Sequence, residues 1–492
     1  MAFTDKKYVV RTKVIWIGPP EIFVEFSNRQ LSVEVCDETS AVRQLPFGTA
    51  LVLNVTDENK GKLATELRSL AQPAIDHGLA VHVVADSDET QGHVSHVVKM
   101  LSLKEHVRAS TKPSLHILAE RIARHEPGPS FSEDLEFKEK PLELDAEPVV
   151  LEPDAQLLLR RAFCDCKYII LSRLAGGMTS DVLAVYAVFK DSLSGPRPLP
   201  FFAKVGPRVW IENEQRIYTQ YVEHFVPFYL RPSLDYHRCV YGFEKAVLVG
   251  NFVEYSESLL QVARRNMAQG PIQSLFDQAL RGWRLQADET TANLLSEMPG
   301  FVSPDEIPAD RLTQARKYGP TRTPHELENI LKRAQAVTYL AAPYHGDLHA
   351  DNVRVRGNDA ILIDFQRVRT GPLLADHACL EVSLAFNEHE RDSNDGWKEL
   401  ISTLFSHSYF IHPPGGPLEP AAREWLWNAI RQIRTIALAS QQSREYAQIV
   451  AISLLRFARL PRRPKDTSLA EERKAYAYFV ADRIMNTVVS GA

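Results

Sequence analysis

The sequence has no apolar run near the roughly 18 residues that a membrane-crossing helix needs. Its opening stretch, MAFTDKKYVVRTKVIWIG, is broken by charges before a signal-peptide core could form. Cysteine is scarce. The five present (Cys36, Cys164, Cys166, Cys239, Cys379) are odd in number and scattered, which predicts reduced thiols and no disulfide framework. Cys164 and Cys166 form a C-x-C pair with no second pair to complete a zinc site. An excess of one charge is also missing: 57 Lys+Arg against 62 Asp+Glu leave a formal charge of −5. That weak acidity offers no electrostatic footprint for nucleic acid or an anionic membrane. The basic stretch RLPRRPK (459–465) is local and reads as a solvated loop. These absences predict a cytoplasmic protein with no nucleic-acid partner and no membrane partner.

What is present is a chain of 492 residues, 45% apolar and 24% charged, too long for one core. Two or three domains are expected. In residues 1–125, short β-rich runs (KVIWIG, LSVEVC, TALVLNV, LAVHVVA) alternate with helical patterns. Unbroken apolar strands separated by helices predict a parallel sheet covered on both faces, a doubly wound flavodoxin-like α/β domain. Gly78 sits where a helix C-terminus needs positive φ. The layout is similar to response-regulator receiver domains, which carry an acidic pair after the first strand and an Asp ending the third. Here Ile17-Gly18-Pro19-Pro20 follows the first strand, Asn54 lies in the third, and Asp57 falls beyond it. A degenerate receiver-like domain that docks a protein partner is one reading; an unrelated α/β module fits the strand pattern equally well.

Residues 126–152 are rich in Pro and Glu without a clear period and read as a linker. Residues 153–256 are β-rich, with a Gly turn at LAGGMTS (174–180). Residues 257–492 read as helical apart from one stretch, 344–368, which opens with YHGDLHADNVRVRGNDAILIDFQ (344–366). A β-rich part followed by a helical part predicts α+β layering. In the exceptional stretch, a Gly-Asn turn at 357–358 joins two apolar runs into a β-hairpin. The hairpin returns Asp364 towards Asn352, so a carboxylate and an amide oxygen can share one hard cation such as Mg²⁺. Asp347 can face an incoming hydroxyl. His345 and His349, four apart, raise the thought of zinc, but Gly346 weakens a helix there and no third ligand follows at zinc-like spacing.

The pattern H-G-D-x-H-x-x-N with I-D-F resembles the catalytic loop of the aminoglycoside phosphotransferase and choline kinase branch of kinases. The resemblance covers about 165–485 and implies an α+β bilobal protein-kinase-like domain with a large helical C-lobe. It implies an ATP- and Mg²⁺-dependent phosphotransferase with a hydroxyl-bearing small molecule or protein as acceptor. Asp347 would be the catalytic Asp, Asn352 and Asp364 the metal ligands, His345 a support for the loop, and His349 an orienting or phosphate-contacting group. Asp351 would be solvated or capping, and Asp376 an N-cap or, alternatively, a catalytic group. Lys204 would hold the α/β-phosphates, paired with Glu214 or, alternatively, Glu212. Gly176, Gly177, Thr179 and Ser180 would form a phosphate loop that lacks the full G-x-G-x-x-G. Leu348 and His349 stand where eukaryotic-type protein kinases have a lysine. The C-terminal patterns REYAQIVAISLLRFARLPRR and ERKAYAYFVADRI look like the bacterial family ternary complex associated domain 9. That family implies a role in bacterial signalling or conflict systems. The alternative function is a nucleotide-binding signalling module, pseudokinase-like, that docks a protein partner through the N-terminal domain.

Overall fold

Strand β1 (Lys13–Ile17) buries four successive residues, Val14 to Ile17, so both of its faces are covered. In this computed structural model, Val14 and Trp16 pack with Phe26, Leu118 and Ile122. Ile15 and Ile17 pack on the other side with Leu67, Leu70 and Val97. The structure describes residues 11–111, 115–139, 149–174, 180–190, 197–298, 302–387, 396–406, 423–440, 443–462 and 466–490. It forms two compact units. One runs to Gln215 and takes in Ser233–Phe252; the other holds Arg216–Pro232 and the chain from Val253.

In the first unit, β1 pairs in parallel with β2 (Ser32–Cys36) and β3 (Gly48–Val55), and β4 (Ala80–Ala85) and β5 (Val107–Thr111) extend the sheet. The order β2-β1-β3-β4-β5 is the flavodoxin-like one expected. Ligands in such sheets meet the carboxyl ends of the strands where the order reverses. Here that crevice is tied shut. The Pro19 carbonyl accepts from Asn54 Nδ2 and from Trp16 Nε1, both at 2.9 Å. Asn59 Nδ2 donates to the Asn54 carbonyl at 2.9 Å. Asp57 points away to Lys60, 2.7 Å distant.

The same unit contains a six-stranded sheet in the order β10-β11-β9-β8-β7-β6. Its members are β6 (Glu136–Glu139), β7 (Cys166–Arg173), β8 (Asp181–Phe189), β9 (Leu199–Pro207), β10 (Val240–Tyr241) and β11 (Lys245–Asn251). Strand β6 comes from the stretch read as linker; it adds a parallel edge to β7, and Lys138 sits over the Tyr168 ring. The helix Pro153–Ala162 begins with Pro at its first position, where no N–H is needed. It buries Leu158 and Leu159 against Leu183, Val185 and Val247 of the sheet. From the same helix, buried Arg161 donates to four carbonyls, of Asp76, Pro127, Pro129 and Tyr241. Burial pulls its pKa down to about 9. Asp76 ends the helix Leu63–Asp76, whose last carbonyls have no partner within the helix. Gly78 follows with φ +83, as its helix-ending place predicts, and a Cβ there would collide with Arg161. Asp76 Oδ1 in turn accepts from the Phe243 N–H at 2.7 Å. The two sheets are thereby joined at one buried point.

In the second unit, β12 (Glu257–Ser258), β15 (Val353–Arg356) and β16 (Asp359–Leu362) form one small sheet. A second contains β13 (Asp288–Ala292), β14 (Val337–Tyr344) and β17 (Arg369–Pro372). Around them lie the helices Ala375–Phe386, Glu424–Ala437, Ser443–Arg459 and Ser468–Ser490. Antiparallel strands β7 to β11 with one helix after β9, then helices interrupted by a loop and hairpin, are the element order of a kinase-like fold. All twelve residues of Ala375–Phe386 are buried. Glu381 on it meets Arg434 (Nε to Oε1, 3.1 Å) and accepts from the Tyr446 hydroxyl at 2.6 Å, locking three helices together. Among the described residues, no helix is long and apolar enough to cross a membrane, and all five cysteines are unpaired. Glu388, Glu390 and Asp392, readable as a contact for a cationic substrate or as a solvated helix end, lie outside the described residues.

Glu445, also on the helix Ser443–Arg459, is buried, and neither carboxyl oxygen has a hydrogen-bond partner among the described residues. Burial pushes its pKa up to about 7. A raised folded-state pKa means full stability at low pH and a loss as pH rises through that value, amounting to about 3 kcal/mol here. Glu445→Gln should abolish the loss, measured as the change in urea-unfolding stability between about pH 5 and about pH 8.

Candidate functional site

Strand β14 delivers Tyr344 into a turn that only glycine accommodates easily: Gly346 has φ +74, and a Cβ there would strike the Arg367 carbonyl. Behind the turn lies Asp376, fully buried. Its Oδ2 accepts the His345 N–H at 2.8 Å and its Oδ1 the Gly346 N–H at 3.2 Å. Burial raises the Asp376 pKa, with His345 and the two N–H groups acting against it. The expected N-cap role is therefore wrong. Leu374 occupies the cap position with no side-chain bond, and the Asp376 side chain turns to the loop because two orphan donors lie there. Two turns along the same helix, Ser383 Oγ accepts the Ala350 N–H at 3.0 Å.

Between these anchors the loop is held by its own polar groups. The Asp347 carbonyl accepts from the His349 N–H (2.8 Å) and from Asn352 Nδ2 (2.9 Å). The second bond leaves Asn352 Oδ1 as the atom able to meet a cation. Strands β15 and β16 form the predicted hairpin, with Val353 opposite Leu362 and Gly357 at φ +64 in the turn. The Ile363 N–H reaches the Asn352 carbonyl at 3.1 Å. The Ile363 carbonyl pairs with His345 Nε2 at 2.9 Å. The next residue, Asp364, has φ +62, a left-handed conformation uncommon outside glycine and enriched at functional sites. His345, Asp347, His349, Asn352 and Asp364 are thus brought together in one loop.

Asp347 is the electrostatic centre. Arg456, from the helix Ser443–Arg459, pairs with Oδ1 and donates to the Gly346 carbonyl at 2.8 Å. Arg367 Nε stands 3.7 Å from Oδ2. Burial alone would raise the Asp347 pKa, but Arg456, then His349 and Arg367, outweigh it and hold the carboxyl below its ordinary range. Burial lowers the His349 pKa despite Asp347 and Asp351, so at neutral pH the imidazole is neutral, a hydrogen-bonding group and not a cation. Among the described residues, no three of His, Cys, Asp and Glu gather to hold a metal ion. Asn352 and Asp364 instead offer two hard oxygen donors, which fits Mg²⁺ completed by phosphate oxygens.

In the first unit, Lys204 on β9 pairs with Glu214 at 2.7 Å, and both are buried. The short spacing follows from the fold, since the helix Arg208–Ile217 starts directly after β9 ends at Pro207. Glu212 pairs with Arg208 instead, at 2.6 Å. Ser180 packs against Gly206, next to Lys204 on β9. Gly176, Gly177 and Thr179 lie outside the described residues. Sequence reasoning missed Arg367, Ser383 and Arg456. The available signal for Arg456 was a charge inside an apolar helical stripe, in step with Ile449 and Ile452. Arg459 was read as solvated, but it ends that helix and meets Ser303 Oγ at 2.7 Å.

Asp376→Ala leaves the His345 and Gly346 N–H groups without acceptors in a buried site, at roughly 1–3 kcal/mol each. The expected outcome is a destabilised loop, measured as faster hydrogen exchange at these two amides than at the β8–β9 pairing.

Comparison by sequence with curated proteins gave no match. Among solved structures, the chain is similar to amicoumacin kinase in complex with AMP-PNP, Ca²⁺ and amicoumacin (TM-score 0.33, 12% identity, 65% of this chain and 88% of that one). It is similar to an aminoglycoside phosphotransferase from Streptomyces rimosus (0.31, 17%, 58% and 99%). A third is choline kinase from Cryptosporidium parvum (0.32, 10%, 65% and 88%). A family match begins in the helical part, takes in the whole stretch 344–366 and stops at Gln448, short of most of the C-terminal pattern REYAQIVAISLLRFARLPRR. Over residues 276–448 the chain matches the family ternary complex associated domain 9.

Proposed function

We propose that the chain is a phosphotransferase that moves the γ-phosphoryl group of ATP to a hydroxyl, using Mg²⁺. The observation that carries this reading is the loop in which Asn352 Nδ2 donates to the Asp347 carbonyl and His345 ties to Ile363 beside Asp364. One rigid hairpin then holds a base and two hard oxygen donors, the parts that phosphoryl transfer from ATP needs. Asn352 and Asp364 would hold the metal, which when bound supplies charge neutralisation on the phosphates. Lys204, oriented by Glu214, would hold the α/β-phosphates. Asp347 orients the acceptor hydroxyl and takes its proton late in the transfer, as suits a carboxylate kept acidic by Arg456. The acceptor is a hydroxyl-bearing small molecule or a protein, in a bacterial signalling or conflict setting.

A second reading is a nucleotide-binding signalling module that docks a protein partner through the α/β domain. It is favoured by the engagement of the Asp347 carboxylate with Arg456 and by the closed crevice of the five-stranded sheet. Labelled ATP separates the two readings. The phosphotransferase transfers label to an acceptor or to water, and Asp347→Ala loses at least about a hundredfold in rate while ATP binding survives. Asp364→Ala should lose Mg²⁺-dependent nucleotide binding. Full turnover in either variant overturns the assignment, and nucleotide binding without any transfer favours the module.

A further inference from the structure

In the first unit, the helix Arg208–Ile217 starts against residues 242–244, the turn between β10 and β11. The Arg208 N–H donates to the Glu244 carbonyl at 2.7 Å. Its Nη1 donates to the Gly242 carbonyl at 2.8 Å, and its Nε meets Glu212 Oε1, four residues on, at 2.6 Å. Apolar packing secures little of this helix start. Val209 is 71% exposed and Trp210 40%, and of the first four residues only Ile211 is buried. Glu214 follows six residues after Arg208, about 9 Å along the axis, and there meets Lys204. The five-stranded domain holds the same turn from its other side. The Phe243 N–H donates to Asp76 Oδ1 at 2.7 Å, and the Phe243 ring lies 4.7 Å from the His106 ring. Asp76 is itself buried, and its carbonyl accepts from Arg161 Nη1 at 2.6 Å. The same Nη1 reaches the Tyr241 carbonyl at 3.3 Å, just before the turn. A Cβ at Gly242 would stand 2.6 Å from Asp76 Oδ1, so the turn has no room to slip towards it. A continuous series of bonds thus runs from Asp76, through the turn and Arg208, to the helix that carries Glu214.

We propose that Asp76 and Arg208 are positioning residues for Lys204: through the 242–244 turn they fix the start of the helix Arg208–Ile217, which keeps Glu214 on the lysine. The α/β domain thereby sets the affinity of the neighbouring sheet for nucleotide. This rests on the reading of Lys204 as the group that holds the α/β-phosphates of ATP. A displacement of about 1 Å at Glu214 carries its 2.7 Å pair beyond hydrogen-bonding range. The buried carboxylate is then unpaired, and Lys204 loses the partner that aims it. A ligand or protein that shifts the end of the helix Leu63–Asp76 would change nucleotide affinity. By linkage, nucleotide would change the affinity for that binder by the same factor.

The test uses the full chain and the dissociation constant of Mg²⁺-ATP. Asp76→Ala, which removes the acceptor of the Phe243 N–H, and Arg208→Met, which frees the helix start, should each weaken binding by about 5- to 50-fold. Asp76→Asn keeps an acceptor oxygen in place and should restore most of the loss. In a Glu214→Ala background, Asp76→Ala and Arg208→Met should add less than about twofold, because coupled residues are not additive. Hydrogen exchange without nucleotide should quicken at the amides of 209–217 in both variants and stay unchanged across the β8–β9 pairing. Melting checks that each variant folds, and if Asp76→Ala does not, Arg208→Met decides, since that side chain is part-exposed. Unchanged affinity in the folded variants overturns the proposal. So does an equal loss in Asp76→Asn, or an undiminished effect in the Glu214→Ala background. If the wild-type chain binds Mg²⁺-ATP and these variants bind it as tightly, the positioning role is refuted and the phosphotransferase reading stands. If the wild-type chain does not bind Mg²⁺-ATP, both fall.

Discussion

The N–H groups of His345 and Gly346 end on the carboxylate of Asp376, and the geometry of the whole loop follows from where that carboxylate is buried. It sits on a helix with no exposed residue, so it cannot move without disturbing three packed helices. Fixing those two amides fixes the turn at Gly346, which aims Asp347. The Asp347 carbonyl then sets Asn352, and His345 sets the end of β16 before Asp364. The His345 and Asn352 side chains are thus each placed by a bond to a backbone carbonyl of the same stretch. A site supported this way keeps its geometry without ligand, the condition for electrostatic preorganisation.

Electrostatics add a second layer. The loop has Leu348, buried, and His349, neutral, where a lysine would supply positive charge. The cation arrives instead from 109 residues downstream, on Arg456. A buried guanidinium is costly unless paired, and pairing it with a carboxylate and a carbonyl offsets much of that cost. The pair holds Asp347 ionised and gives it one orientation.

The parts of this fold legible in the sequence were those with local signatures. Alternating apolar strands gave the parallel sheet, Gly78 gave a helix end, and the Gly-Asn turn gave the hairpin that brings Asp364 to Asn352. Lys204 and Glu214 were legible through the resemblance, as a strand lysine with a Glu on the next helix, even though their spacing is short. What escaped reading was long-range. Asp376 looked like a cap because its position near a helix start is all that sequence shows; its partners lie about thirty residues upstream. Arg456 and Arg459 looked like members of a basic tail or an apolar stripe, since nothing near them announces Asp347 or Ser303. The short strand β6, Glu136–Glu139, has too few apolar residues to stand out from the Pro- and Glu-rich stretch around it.

Arg161 carries a consequence for how the chain can be divided. Three of the four carbonyls it meets (Asp76, Pro127 and Pro129) precede the helix on which it sits; only Tyr241 follows. A truncation starting at that helix would strip a desolvated cation of most of its acceptors and leave the Phe243 N–H without Asp76. The five-stranded domain is therefore not a detachable appendage of the sheet that bears Lys204. In recombination, the two would have to be exchanged or lost as one inheritable piece.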